Sequence, residues 1–172
     1  MMEYVLDMQG FLQSGNDFVI KELAIVSLKD DSDPKVFMFQ EPFPWKRLTN
    51  KHRRINHSLE FHNHGLPWSS GKVPYTLVVN VLREYLSDAQ IIYMRGKFKK
   101  SWLERFNLPV CEVTSIDYSE KPTKIATICL NHKVLGRKKI NCALHNARTM
   151  KKIILENLDW EEIPPTSKII RQ

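Results

Sequence analysis

The chain has 172 residues, 42% of them hydrophobic and 26% charged, with three cysteines and a formal net charge of +7. This is the composition of a soluble globular domain. It has no apolar run near the ~18 residues of a membrane span and too few cysteines for a disulfide framework. The start, MMEYVLDMQGF, has neither a basic leader nor a small-residue cleavage site. No signal peptide is expected, and free thiols or metal-ligating thiols in a reducing cytoplasmic or nuclear setting are.

In chain order, residues 3–10 read as a mostly buried strand ending at Gly10, and residues 14–16 as a turn. Residues 17–29, rich in apolar and β-branched side chains, predict a long second strand in hairpin with the first. Strand alternation would place Ile20, Glu22 and Ala24 on one face. A turn at 30–34 leads to a third strand at 35–40. Prolines make the next stretch irregular, and residues 50–65 predict a helix with Asn50 as N-cap and Gly65 as stop. Its histidines His57, His62 and His64 lack metal-ligand spacing and read as a surface or boundary segment. Residues 74–88 predict a helix opened by Pro74, then a strand at 89–94, a short helix at 99–106 and a strand at 109–116. The stretch 119–124 reads as loop. Residues 141–158 give the strongest helical pattern, and 161–172 a loose tail. The expectation is one domain over residues 1–160, a mixed α/β layered fold.

The positive charge is clustered. Arg53 and Arg54, then Lys97, Lys99 and Lys100, then Arg137, Lys138 and Lys139 are the candidate contacts to a nucleic acid, because separate basic clusters sum to a field that attracts polyanions. Phe43, Trp45 and Trp68 flank loops beside basic residues, where aromatics either stack on bases or cover a core edge.

Three antiparallel strands followed by alternating helices and strands is the element order of the RNase H-like fold. The details resemble the DEDDh-type 3′–5′ exonucleases. Their first-strand Asp-x-Glu looks like Asp7-x-Gln9. Their segment ending Phe-Asp looks like Phe98-Lys99. Their final-helix His-x-Ala-x-x-Asp-Ala looks like 141–147, with Asn141 for the histidine and Asn146 for the aspartate. Two-metal hydrolysis requires several carboxylates around a pair of cations. Asp7 alone remains, so that mechanism is expected to be lost.

Cys129-x-x-His132, followed by Cys142, is a plausible metal-ligand spacing, and zinc accepts thiolate, imidazole and carboxylate. Cys142 opens the final helix, where the helix dipole favours a thiolate. Cys111 reads as ordinary core. The fourth ligand is open between Glu22, an acid inside an apolar run, and His145, local to Cys142. The same spacing, with the missing carboxylates, resembles the maelstrom domain of animal small-RNA pathway proteins. That family has a nuclease-like fold without the nuclease residues and a Glu-Cys-His-Cys zinc site. The resemblance implies Glu22 as the glutamate. It further implies structural Zn²⁺, binding of single-stranded RNA or another nucleic acid, and a setting in small-RNA or transposon silencing with protein partners of such a complex. Two alternatives stand beside it: a metal-independent single-strand RNA endonuclease, and a protein-interaction scaffold.

Overall fold

The computed structural model describes residues 2–113, 123–124, 130–133 and 139–157. Its centre is a five-stranded mixed sheet. The first strand, β1 (Met2–Gln13), is buried over most of its length and forms a hairpin with β2 (Asp17–Ser27) through a tight turn in which Gly15 and Asn16 take positive φ. β2 then pairs antiparallel with β3 (Lys35–Met38). On its other side β1 pairs in parallel with β4 (Ala89–Met94), and β4 in parallel with β5 (Val110–Glu112). The order across the sheet is β3-β2-β1-β4-β5. β3, β2 and β1 are antiparallel neighbours, and β4 and β5 continue the sheet in parallel from the β1 edge, so the strand order is not the chain order. The chain returns from β3 to the far side of β1, which becomes the central strand.

The expected strand end at Gly10 is corrected: β1 continues through an irregularity. Gln9 faces Glu22, but Gly10 faces Ile20, so Lys21 is an extra residue in β2. Such a bulge shifts the alternation by one. Glu22 and Ala24 face one side of the sheet, while Ile20 turns to the other and joins Leu6, Met8 and Leu23 in the larger core. The expectation that Ile20 shares a face with Glu22 fails for this reason. Gly10 permits the bulge: a Cβ there would lie 2.1 Å from the Val19 carbonyl oxygen.

The larger core lies under α2 (Val78–Leu86) and α3 (Lys97–Glu104), and gathers Leu82, Leu86, Ile92, Trp102 and Leu103. The opposite face is covered by α4 (Ala143–Asn157), whose Ala143, Ala147, Met150 and Ile154 meet Val5, Ala24, Val26 and Tyr93. Each large side chain so buried contributes about 1.5–3 kcal/mol. Cys111 is half-buried against this second core.

The helix α1 (Asn50–Leu59) is capped by Thr49, not Asn50: the Thr49 hydroxyl accepts from the His52 backbone N–H at 3.2 Å. The helix widens into a π-turn, Glu60–His64, and stops at Gly65 in the left-handed conformation. Asn56 locks α1 to the sheet. Its amide donates to the Leu12 carbonyl at 2.8 Å and accepts from the Leu12 N–H at 2.9 Å. A second, two-stranded sheet joins β6 (Thr123–Lys124), in the stretch the pattern marked as loop, to β7 (Lys139–Ile140). Among the described residues no helix is long and apolar enough to cross a membrane. The expected strand residues 114–116 and the tail 161–172 lie outside the described residues.

Candidate functional site

On the α4 face of β1, the alternating residues Val5, Asp7 and Gln9 point the same way. Val5 enters the core, and Asp7 and Gln9 lie under the start of α4, both nearly buried. Asp7 is held by three donors from three parts of the chain. Its Oδ2 accepts from Gln9 Nε2 at 3.0 Å and from Asn146 Nδ2 at 2.9 Å, and its Oδ1 accepts from Lys99 Nζ at 2.8 Å. Lys99 reaches this point because β4 delivers the chain to Gly96, whose φ of 99° turns it into α3. Four of the five positions singled out by the nuclease resemblance thus meet around one carboxylate, while the fifth, Asn141, donates to Asn63 Oδ1 at 2.9 Å on the cleft wall. Where that chemistry needs further carboxylates, the protein supplies two neutral amides and an ammonium.

This centre is the floor of a cleft of about 810 Å³. Lys51, Ile55, Leu59 and Asn63 form one wall, Arg95 and Phe98 another, and Asn141 and His145 a third. Phe98 is 49% exposed and rests edge-on against Phe18, with ring centroids 5.9 Å apart. Among the described lining residues Asp7 is the one acid, against Lys51, Arg95 and Lys99. The cleft is therefore positive, and low-dielectric walls focus such a field on an anion. The donor set does not suit a pair of divalent cations.

A second cluster lies beside it. Glu22 stands opposite Gln9 across the hairpin. Glu22, His132 and Cys142 are all buried, and one ligand atom from each lies within 4.8 Å of the others. Glu22 Oε1 accepts from the Ala143 N–H at 2.7 Å, at the first turn of α4. His132 Nδ1 donates to the His64 carbonyl. With that proton on Nδ1, Nε2 is an acceptor. It lies 2.9 Å from Glu22 Oε2 and has no hydrogen-bond partner. A lone pair facing a carboxylate in a buried place is unfavourable unless a positive charge lies between them. Burial opposes adding a proton there, but Cys142 and Glu22 beside the ring overcome the burial and push the pKa up to about 10. The alternative positive charge is a metal ion. An imidazole fixed by a backbone carbonyl, beside a thiol and a carboxylate held by a backbone N–H, is the kind of outer-shell support metal ligands receive. These three residues can hold a metal ion.

Cys129 lies outside the described residues. His145 is not in the group; it lines the cleft, with Nε2 at 3.2 Å from the Thr149 hydroxyl. Of the basic candidates, Lys99 is at the cleft floor. Lys97 and Arg54 are exposed, and neither is among the lining residues. Lys100 pairs with Glu104 at 3.1 Å. Arg53 is turned to its own loop, donating to the Leu48 and Lys46 carbonyls. Arg137 and Lys138 lie outside the described residues, as does the side chain of Lys139, whose backbone is in β7. Phe43 and Trp45 pack on Trp68, which is 5% exposed, and together they cover the core edge at Phe11.

Two of the buried polar groups that the sequence does not reveal lie near the site. His64, expected at the surface or boundary, is buried. Its Nδ1 accepts from the Leu66 N–H at 3.0 Å, and its Nε2 donates to the Gly10 carbonyl at 2.9 Å. Burial lowers its pKa to about 3. The π-turn that aims it inward leaves no apolar periodicity to detect. Lys21 is also buried, with its ammonium donating to the Trp68 and Ser70 carbonyls. The bulge releases it from the strand alternation.

The chain matches no family model, no curated protein and no solved structure.

Proposed function

We propose that the chain is a zinc-stabilised, catalytically degenerate RNase H-like module of maelstrom-like type that binds single-stranded RNA or another nucleic acid. The observation that carries this reading is the centre itself. Asp7, Gln9, Lys99 and Asn146, which are far apart in the chain, come together where a nuclease would need carboxylates, at the floor of a cleft whose charge suits a polyanion. The element order of the sheet and helices supports the RNase H-like part of the reading. The buried Glu22, His132 and Cys142 support zinc, because thiolate with imidazole selects it over hard cations, and carboxylate is an accepted further ligand. Zinc there would have a structural part, joining β2, the 130–133 turn and the start of α4.

A nucleic acid held by phosphate contacts binds with a steep salt dependence. Filter binding with single-stranded RNA is expected to show retention at low salt that is lost as salt rises. No retention at low salt would sink the reading. RNA incubated with the protein is expected to remain intact, because the cleft lacks the carboxylates of two-metal hydrolysis; cleavage would favour an endonuclease instead.

A further inference from the structure

We infer that the Lys99 ammonium, fixed on Asp7, is the phosphate-binding cation of the cleft, a charge tethered to the chain. The inference rests on the nucleic-acid reading above and names the group that would contact the ligand.

An ammonium has three N–H donors. Lys99 gives one to Asp7 Oδ1 at 2.8 Å, and its side chain remains 25% exposed at the cleft floor. Among the described residues the ammonium has no other partner, which leaves its remaining donors to a ligand in the cleft. Asp7 in turn has its two oxygens occupied by Lys99, Gln9 and Asn146, and its charge is balanced. Without Lys99 the floor would be a bare carboxylate, which repels a phosphodiester. With it, the floor is neutral and offers donors, and Lys51 on the wall adds positive charge. Phe98, next in sequence to Lys99 and half-exposed, offers a ring face to the neighbouring base. The ligand class is a single-stranded phosphodiester with one unpaired base, and its binding requires no divalent cation. In a metal-dependent centre the ion must arrive before the phosphate is held. Here the cation belongs to the chain.

The test uses the full chain and fluorescence anisotropy with an end-labelled oligouridylate, over a series of salt concentrations. Wild type is expected to bind equally with millimolar magnesium and in magnesium-free buffer. The Asp7→Asn/Lys99→Met double variant removes both charges at once, so the floor stays neutral. It is expected to fold, checked by circular dichroism, yet to bind about tenfold more weakly. The slope of log affinity against log salt is expected to flatten by about 0.7, the value for one single-strand phosphate contact. Lys152→Met, outside the cleft and paired with Glu156 on α4, is expected to change neither. A requirement for magnesium overturns the inference. So does a folded double variant with wild-type affinity and slope, or an equal loss in Lys152→Met, which would mean a diffuse field in place of a defined contact. If wild type does not bind at all, the nucleic-acid reading fails first, and the two failures are distinguishable.

Discussion

The Asp7–Lys99 pair makes an asymmetric prediction about stability. Asp7 is nearly buried, with 6% of its side chain exposed, whereas 25% of the Lys99 side chain reaches solvent. Removing the ammonium in Lys99→Met strands the more buried charge. Breaking a fully buried pair costs about 3–5 kcal/mol. Partial exposure of Lys99 screens the interaction and brings the expectation down to about 2–3 kcal/mol. Asp7→Asn strands the charge that can still be hydrated, and is expected to cost only about 1 kcal/mol. The double variant leaves neither charge and keeps the Gln9 and Asn146 amides in place, so it is expected to lie within about 1 kcal/mol of wild type. Urea denaturation of all four proteins gives the coupling energy directly. In a chain of this size Lys99→Met is expected to lower Tm by roughly 5–10 °C. A Lys99→Met variant as stable as Asp7→Asn, or a double variant no better than Lys99→Met, would refute the claim that the ammonium exists to balance a buried carboxylate.

The remaining predictions concern the metal cluster, the bulge and His64. Metal analysis is expected to find one zinc per chain in wild type and in His145→Ala, and none in His132→Ala, Cys142→Ser or Glu22→Ala; zinc retained in Glu22→Ala would remove the carboxylate from the ligand set. Gly10→Ala drives a methyl group against the Val19 carbonyl oxygen, 2.1 Å away, and is expected to destabilise by about 1–3 kcal/mol in urea; wild-type stability would mean the bulge can open freely. His64 is held neutral, its pKa lowered from 6.5 to about 3 by burial, so the unfolded chain takes up the proton first. Its stabilising share is complete above pH 6.5 and is lost as pH falls toward 3, at no more than about 1.4 kcal/mol per pH unit. His64→Gln is expected to flatten the stability curve in that window, and parallel curves for the two proteins would contradict it.

Much of the sheet was legible because its apolar runs are strong: the fourth strand, 89–94, was read to the residue, and the hairpin turn at 14–16 was marked by Gly15 and Asn16. Glu22 was legible for a physical reason, since an acid inside FVIKELAIV must be paired, bound or exposed, and it is buried. Lys21 beside it was not legible. A bulge in β2 depends on how closely β1 approaches, and only Gly10, one strand away, hints at it. The same bulge reversed the face of Ile20. Thr49 displaced Asn50 as cap because either residue can cap a helix and the backbone decides which. The strands β6 and β7 have two residues each, too short for any periodicity to register. Arg53 looked like a phosphate contact by charge, but its donors serve the loop before its own helix.

The Glu22–His132–Cys142 group and the cleft share their supports, which leads to a final prediction for a chain with zinc bound there. The first turn of α4 gives Ala143 N–H to Glu22 and, one turn on, the Asn146 amide to Asp7. The His132 ring, at the metal cluster, holds the carbonyl of His64, a cleft-wall residue, while Asn141 donates to Asn63 Oδ1 at 2.9 Å on the same wall. Loss of metal leaves Glu22 and His132 Nε2 to find a proton instead, and frees the turn at 130–133 from the start of α4. The damage then falls on the cleft before it reaches the sheet, because β1, β2 and β4 are held by their own ladders and cores. Removing zinc with a chelator at low temperature is expected to weaken oligonucleotide binding about tenfold while the far-ultraviolet circular dichroism of the sheet and helices persists. Re-addition of zinc is expected to restore binding. Binding that survives zinc loss unchanged would show that the cleft holds its shape without the metal. Binding and circular dichroism lost together would show that the metal holds the whole fold and not one end of it.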